Sequence, residues 1–123
     1  MPLITQSAEL PDWPNHPALE ACVEEHHARG MPLIVQFGSE QCALCPQATL
    51  DIDKAKKEYE FRWTYEDAPT SPLAEELDVA ALPAVLVFHD KEHYVLYQKL
   101  RGDEVTEIIK EHCKPRLVLD AEF

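Results

Sequence analysis

Apolar positions recur along the chain in two rhythms. Leu33-Ile34-Val35-Gln36-Phe37 is a nearly unbroken apolar run, which predicts a strand covered on both faces. Further on, Ala48, Ile52, Ala55 and Tyr59 lie on one helical face, with Lys54, Lys56, Lys57 and Glu58 on the other. That spacing predicts a helix from about Cys42 to Tyr59. Phe61, Trp63 and Tyr65 then alternate with Glu60, Arg62 and Thr64, which is strand periodicity. Ala84-Val85-Leu86-Val87-Phe88 predicts another strand, Asp90-Lys91-Glu92 a polar turn, and His93 to Leu100 the returning arm of a hairpin.

Local signals supply the remaining elements. Pro17 suits a first helical turn, and Ala18, Ala21, Cys22 and Glu25 follow helical spacing toward a stop at Gly30. Ser71 and Pro72 open a short helix to about Leu77. Asp103 is expected to cap a last helix that reaches Cys113, with Val105, Ile108, Ile109 and His112 inward and Pro115 beyond its end. Pro2, Pro11, Pro14 and Pro17 make residues 1–16 an extension, with a short strand at Leu3-Ile4-Thr5. Trp13 within it covers a sheet edge or anchors a partner. Residues 114–123 read as a tail. The strand-helix-strand unit demands parallel pairing and the later hairpin antiparallel pairing. The expected fold is one α/β domain over residues 1–123, a mixed four- to five-stranded sheet with helices on both faces.

Charge and cysteine usage narrow the function. The 123 residues carry a net charge of -12, from 23 acidic against 11 basic side chains. Nothing of that balance neutralises phosphates, so nucleic acid and anionic membranes are disfavoured as partners. No apolar run approaches the roughly 18 residues of a membrane span. The start lacks the basic and apolar stretches of a targeting peptide, so an intracellular, cytoplasmic protein is expected. Four cysteines in such a setting do not make a disulfide framework.

The chemistry gathers in Gly38-Ser39-Glu40-Gln41-Cys42-Ala43-Leu44-Cys45-Pro46, where two cysteines stand three apart between a buried strand and a helix. Three readings are open: a redox pair, half of a metal site, or two thiols spaced by chance. A zinc site lacks a second knuckle, since Cys22 and Cys113 stand alone and His26, His27, His89 and His93 fit no standard spacing. His16 and His112 add no catalytic set. A thiol at a helix amino terminus, by contrast, meets free N–H groups and partial positive charge that favour the thiolate.

The joint pattern resembles the thioredoxin family. It consists of Leu33 to Phe37, Cys42-Ala43-Leu44-Cys45 opening a helix, Ala80-Ala81-Leu82-Pro83-Ala84-Val85-Leu86-Val87-Phe88, and Lys99-Leu100-Arg101-Gly102 before the last helix. The resemblance spans about residues 17 to 113. It implies a thioredoxin fold, Cys42 as exposed nucleophile, Cys45 as resolving thiol, and a cis Pro83 shaping a groove. In that groove the backbone of Leu82 pairs with an extended substrate. The implied activity is thiol–disulfide exchange on protein disulfides, with electrons from a separate reductase or small thiol, no bound cofactor and no metal, in a monomer or weak dimer. The alternatives are a thioredoxin-fold interaction module with little catalysis, and metal or iron–sulfur binding across a dimer. In such a fold the helices carrying Cys22 and Cys113 lie on opposite faces of the sheet. The departures are specific: no aromatic residue precedes Cys42, no proline lies between the cysteines, and the family's buried acid falls at Gln36. Glu40 is a candidate substitute base, or simply a solvated loop residue.

Overall fold

The computed structural model describes residues 3–6, 17–26, 30–90 and 93–116. Its elements are β1 (Leu3–Gln6), α1 (Pro17–His26), β2 (Leu33–Gly38), α2 (Cys45–Lys56), β3 (Tyr59–Glu60), β4 (Arg62–Asp67), α3 (Pro72–Glu76), β5 (Ala84–Asp90), β6 (His93–Gln98), α4 (Glu104–His112) and β7 (Lys114–Pro115). Five strands form a mixed sheet in the order β1-β6-β5-β2-β4, and β3 pairs with β7 in a separate two-stranded ribbon. β2 and β4 run parallel, with Gln36 opposite Tyr65 and Gly38 opposite Asp67. All the other pairings are antiparallel. The expected α/β architecture is therefore the one observed.

The unbroken apolar run of β2 has the physical cause expected of it, because every residue from Leu33 to Gly38 is buried. Its side chains alternate between two cores. Leu33, Val35 and Phe37 join Leu19, Cys22, Leu73, Leu86 and Tyr94 under α1 and α3. Ile34 joins Ala48, Ile52, Phe61, Val87, Ile108 and Ile109 under α2 and α4. Cys22 and Cys113 fall in different clusters, on opposite faces of the sheet, and each is a free buried thiol. Burial pushes Cys22 up to about 11 and Cys113 up to about 12, so both stay protonated near neutrality.

Several boundaries differ from the sequence reading, each for a local reason. α2 begins at Cys45, not Cys42. A helix capped at Cys42 would need the N–H of residue 46 to bond the Cys42 carbonyl, and Pro46 has none. The Cys42 carbonyl instead accepts from the N–H of Cys45 at 3.3 Å, and the first i to i+4 bond runs from Ala48 N–H to the Leu44 carbonyl at 3.2 Å. α2 also ends early, and Tyr59 opens β3, whose partner β7 starts what reads in sequence as tail. Asp103 sits at the head of α4 but makes no side-chain cap; the Glu104 carboxylate accepts from the Arg101 N–H at 2.7 Å. Ser71 does cap α3, accepting from the Ala74 N–H at 3.0 Å. In α1, Leu19 and Cys22 are buried and Ala21 is exposed. Glu76 accepts from the N–H groups of Ala18 and Leu19 at 3.0 and 2.9 Å, closing the start of α1. Trp13, His16 and His27 lie outside the described residues.

Candidate active site

The carboxyl end of β2 delivers Gly38 to a tight turn, and the turn delivers the cysteines. The N–H of Cys42 bonds the Ser39 carbonyl at 3.2 Å, which holds Cys42 above the first turn of α2. Cys42 and Cys45 are joined in a disulfide with their α-carbons 5.4 Å apart. The two sulfurs are not equivalent. Cys42 is half-buried beside exposed Gln41, Ala43 and Leu44, whereas Cys45 is only 4% exposed.

A second loop faces them. The Leu82–Pro83 bond is cis, and Pro83 is buried at the entry to β5. The loop is held from behind by Gln98 of β6. Its Oε1 accepts from the N–H groups of Ala80 and Ala81 at 2.7 and 3.0 Å. Leu100 N–H bonds the Pro83 carbonyl at 3.0 Å. Among the described residues no hydrogen bond engages the backbone of Leu82. A hollow of about 430 Å³ separates the two loops, lined by Ser39, Gln41, Cys42, Ala43, Leu44, Ala80 and Leu82. The structure thus brings Cys42, Cys45, Leu82 and Pro83 to one end of the sheet.

Beneath the cysteines lies Gln36, fully buried. Its amide nitrogen donates to Thr49 Oγ1 at 2.7 Å, and its Oε1 accepts from Trp63 Nε1 at 3.2 Å. Both ends are engaged, and neither takes a proton near neutrality. Tyr65, the register partner of Gln36, is 47% exposed. Burial, then the carboxylates of Asp67 and Glu40, hold its hydroxyl above the usual tyrosine value.

A polar group that the sequence pattern gives no sign of lies at the other end of β5 from Pro83. His89 Nε2 and His112 Nδ1 are 3.0 Å apart, and His112 Nε2 is 2.7 Å from the Tyr97 hydroxyl. Residues 89, 97 and 112 meet only because the hairpin and α4 fold over one another. Burial and then the neighbouring His89 hold His112 below its ordinary value, with Glu111 pulling weakly the other way. A histidine whose folded value is depressed stabilises the fold fully above its unfolded value of about 6.5. That contribution is lost as pH falls toward the folded value. His112→Gln is therefore expected to flatten the decline in melting temperature between about pH 7 and pH 5. An equal decline in variant and wild type would contradict this assignment.

Among the described residues no group of three or more His, Cys, Asp or Glu side chains is placed to hold a metal ion, and no helix is long and apolar enough to cross a membrane.

Comparison with known proteins rests on structure. No family model matches the sequence, and no curated protein matches it. A Plasmodium falciparum thioredoxin superposes with a TM-score of 0.65 at 15% identity, over 83% of this chain and 85% of its own. A structure described only as a malarial protein superposes with a TM-score of 0.56 at 20% identity, over 68% of this chain and 98% of its own. The fold is thioredoxin-like, and it carries a Cys42–Cys45 pair at disulfide distance.

Proposed function

We propose that the chain is a thiol–disulfide oxidoreductase of the thioredoxin kind, acting on protein disulfides through Cys42 and Cys45. The observation that carries this reading is the asymmetry of the pair. One sulfur stands at the edge of an open hollow whose far wall is Leu82, a residue with unused backbone hydrogen-bonding groups, and the other is buried one residue before Pro46. In the reducing direction the Cys42 thiolate attacks a substrate disulfide, forming a mixed disulfide and releasing one substrate thiolate. Cys45 then attacks the Cys42 sulfur, the mixed disulfide breaks, and the second substrate thiolate leaves. The protein is left as the disulfide form described above. Two electrons pass from the cysteine pair to the substrate, and a separate reductase or small thiol restores them. The amino terminus of α2 favours the thiolate of Cys42. Leu82 offers its N–H and carbonyl to an extended substrate segment, and Pro83 shapes the wall beside it. No bound cofactor enters this chemistry, and the chain acts as a monomer or weak dimer. A reductant of this kind belongs in a reducing compartment such as the cytoplasm.

The replacement of a buried acid by Gln36 and the exposure of Leu44, 42% accessible beside the cysteines, favour a second reading. In it the same surface is a protein-interaction module with little catalysis.

Redox titration separates the two. The protein is equilibrated across graded thiol–disulfide ratios, and alkylated thiols are counted by mass. A reversible two-electron transition confined to Cys42 and Cys45 is expected. A midpoint near about -270 mV assigns a reductase, and one between about -180 and -120 mV an oxidant or isomerase. Absence of any reversible transition would remove the enzyme reading and leave the interaction module.

A further inference from the structure

We propose that the Tyr65 hydroxyl relays the proton of Cys45, the task that Gln36 is chemically unable to perform. The inference rests on the reading of Cys45 as the resolving thiol.

The argument starts at Gly38. A β-carbon built there would lie 2.7 Å from the Tyr65 hydroxyl oxygen and 3.2 Å from Cys45 Sγ. Those two atoms therefore converge on one small cradle that is open only because residue 38 has no side chain. They are no more than about 6 Å apart, a span that a hydrogen bond or a single bridging water covers. The convergence follows from sheet geometry. Gln36 and Tyr65 are register partners on parallel strands, so their side chains share the face on which α2 lies. Gly38 follows two residues after Gln36 on that face, and the Tyr65 ring crosses over it toward Cys45.

The electrostatics and the exposure suit the task. Cys45 is only 4% exposed, whereas Tyr65 is 47% exposed. The Tyr65 hydroxyl makes no hydrogen bond among the described residues, so it is uncommitted. Burial, and then the carboxylates of Asp67 and Glu40, act on it. Asp67 is the register partner of Gly38 and accepts from Thr70 Oγ1 at 2.9 Å. The other titratable neighbour on β4, Glu66, is turned away to Ser71 Oγ.

The step balances without any further reactant. In the mixed disulfide, Cys45 S–H passes its proton to the Tyr65 oxygen as the Tyr65 proton passes to water. The freed lone pair on Cys45 Sγ attacks Cys42 Sγ. The bond between Cys42 and the substrate sulfur breaks, and the substrate thiolate leaves with that electron pair and takes a proton from solvent. Tyr65 is neutral before and after. In the reverse direction its O–H donates to Cys45 as that sulfur departs.

The test uses the reduced full-length chain and an aromatic disulfide whose thiolate is coloured. Cys42 attacks the reagent, and one coloured thiolate appears; Cys45 then resolves the adduct, and the second appears. The rate of the second phase is followed from about pH 5 to pH 9 in wild type and Tyr65→Phe. Phenylalanine keeps the ring and its packing, so a structural role alone would leave the pH profile unmoved. Relay by Tyr65 predicts that the variant resolves about tenfold more slowly near pH 6–7, a modest share of what a positioned proton-transfer group supplies. It also predicts that the gap between the two rates narrows toward about pH 9, as the thiolate fraction rises with pH without help from the relay. Superimposable profiles, or an equal slowing at every pH, would overturn the relay. A wild-type protein that releases the first thiolate and never the second would overturn the oxidoreductase reading instead, so the two failures are distinct.

Discussion

Cys42→Ser is expected to abolish disulfide reduction, a loss of about a thousandfold or more, because a serine hydroxyl near neutral pH is not a nucleophile toward sulfur. Cys45→Ser is expected to fail differently. Its Cys42 thiol still attacks, but nothing resolves the adduct, so each chain accumulates one substrate as a mixed disulfide visible by intact mass. The contrast follows from position: Cys42 borders the open hollow, and Cys45 is buried at the head of α2. The other thiols give the control. Cys22→Ala and Cys113→Ala remove sulfurs that are buried on opposite faces of the sheet and held as protonated thiols, and turnover should persist in both. Steady-state turnover with a small disulfide, followed by mass measurement of the trapped species, checks all four variants. If Cys42→Ser turns over at the wild-type rate, the pair is not the reaction centre. If Cys42→Ser and Cys45→Ser both retain full capture of a protein partner without any covalent adduct, the surface acts by recognition alone.

What the sequence discloses and what it conceals divide along the distance over which residues act. β2, β5 and β6 are readable because burial on one or both faces imposes its period directly on neighbouring residues. α3 is readable because Ser71 and Pro72 are local start signals. The cysteine pair and the proline opposite it are likewise contained in short motifs. The first turn of α2 is misread because helical spacing from Ala48 onward extrapolates backward, while the deciding fact is one missing N–H at Pro46. The polar groups that hold the site are invisible for another reason. Gln98 supports Ala80 and Ala81 across 18 and 17 residues, and Glu76 closes a helix 57 and 58 residues upstream. No period or spacing encodes such contacts; they exist only after the sheet has formed. Tyr65 shows the same limit in reverse. Alternation with Trp63 places it on the inward face, yet it is 47% exposed because β4 is an edge strand and its inner face runs out where Gly38 and the cysteine turn begin.

Gln36 joins the sheet to the helix that carries Cys45, and Gln36→Ala is expected to cost about 3–5 kcal/mol, a large part of the 5–15 kcal/mol that holds a domain of this size together. Two losses combine. Removing a fully buried side chain leaves a cavity between β2 and α2, because the Ile34, Ile52 and Val85 side chains around it are themselves buried and have little room to relax. The substitution also orphans Trp63 Nε1–H, whose partner is the Gln36 carbonyl oxygen at 3.2 Å, and an unpaired buried donor costs about 1–3 kcal/mol. Thr49 suffers less, since its hydroxyl is able to turn back onto a carbonyl of its own helix. Gln36→Glu distinguishes the hydrogen bonds from the volume. It fills the space and keeps an acceptor for Trp63, but its buried carboxyl resists ionisation, so its folded value rises above the ordinary one near 4.3. The unfolded chain then binds fewer protons than the folded one, and the stability of this variant should fall as pH rises from about 4 toward neutrality, opposite in sign to the effect of a paired carboxylate. Urea midpoints at unchanged slope measure both variants, with Leu50→Ala, at an exposed position of α2, expected to stay within about 0.5 kcal/mol of wild type. A Gln36→Ala midpoint no lower than that of Leu50→Ala would show that the amide at the base of the site carries no weight in the fold.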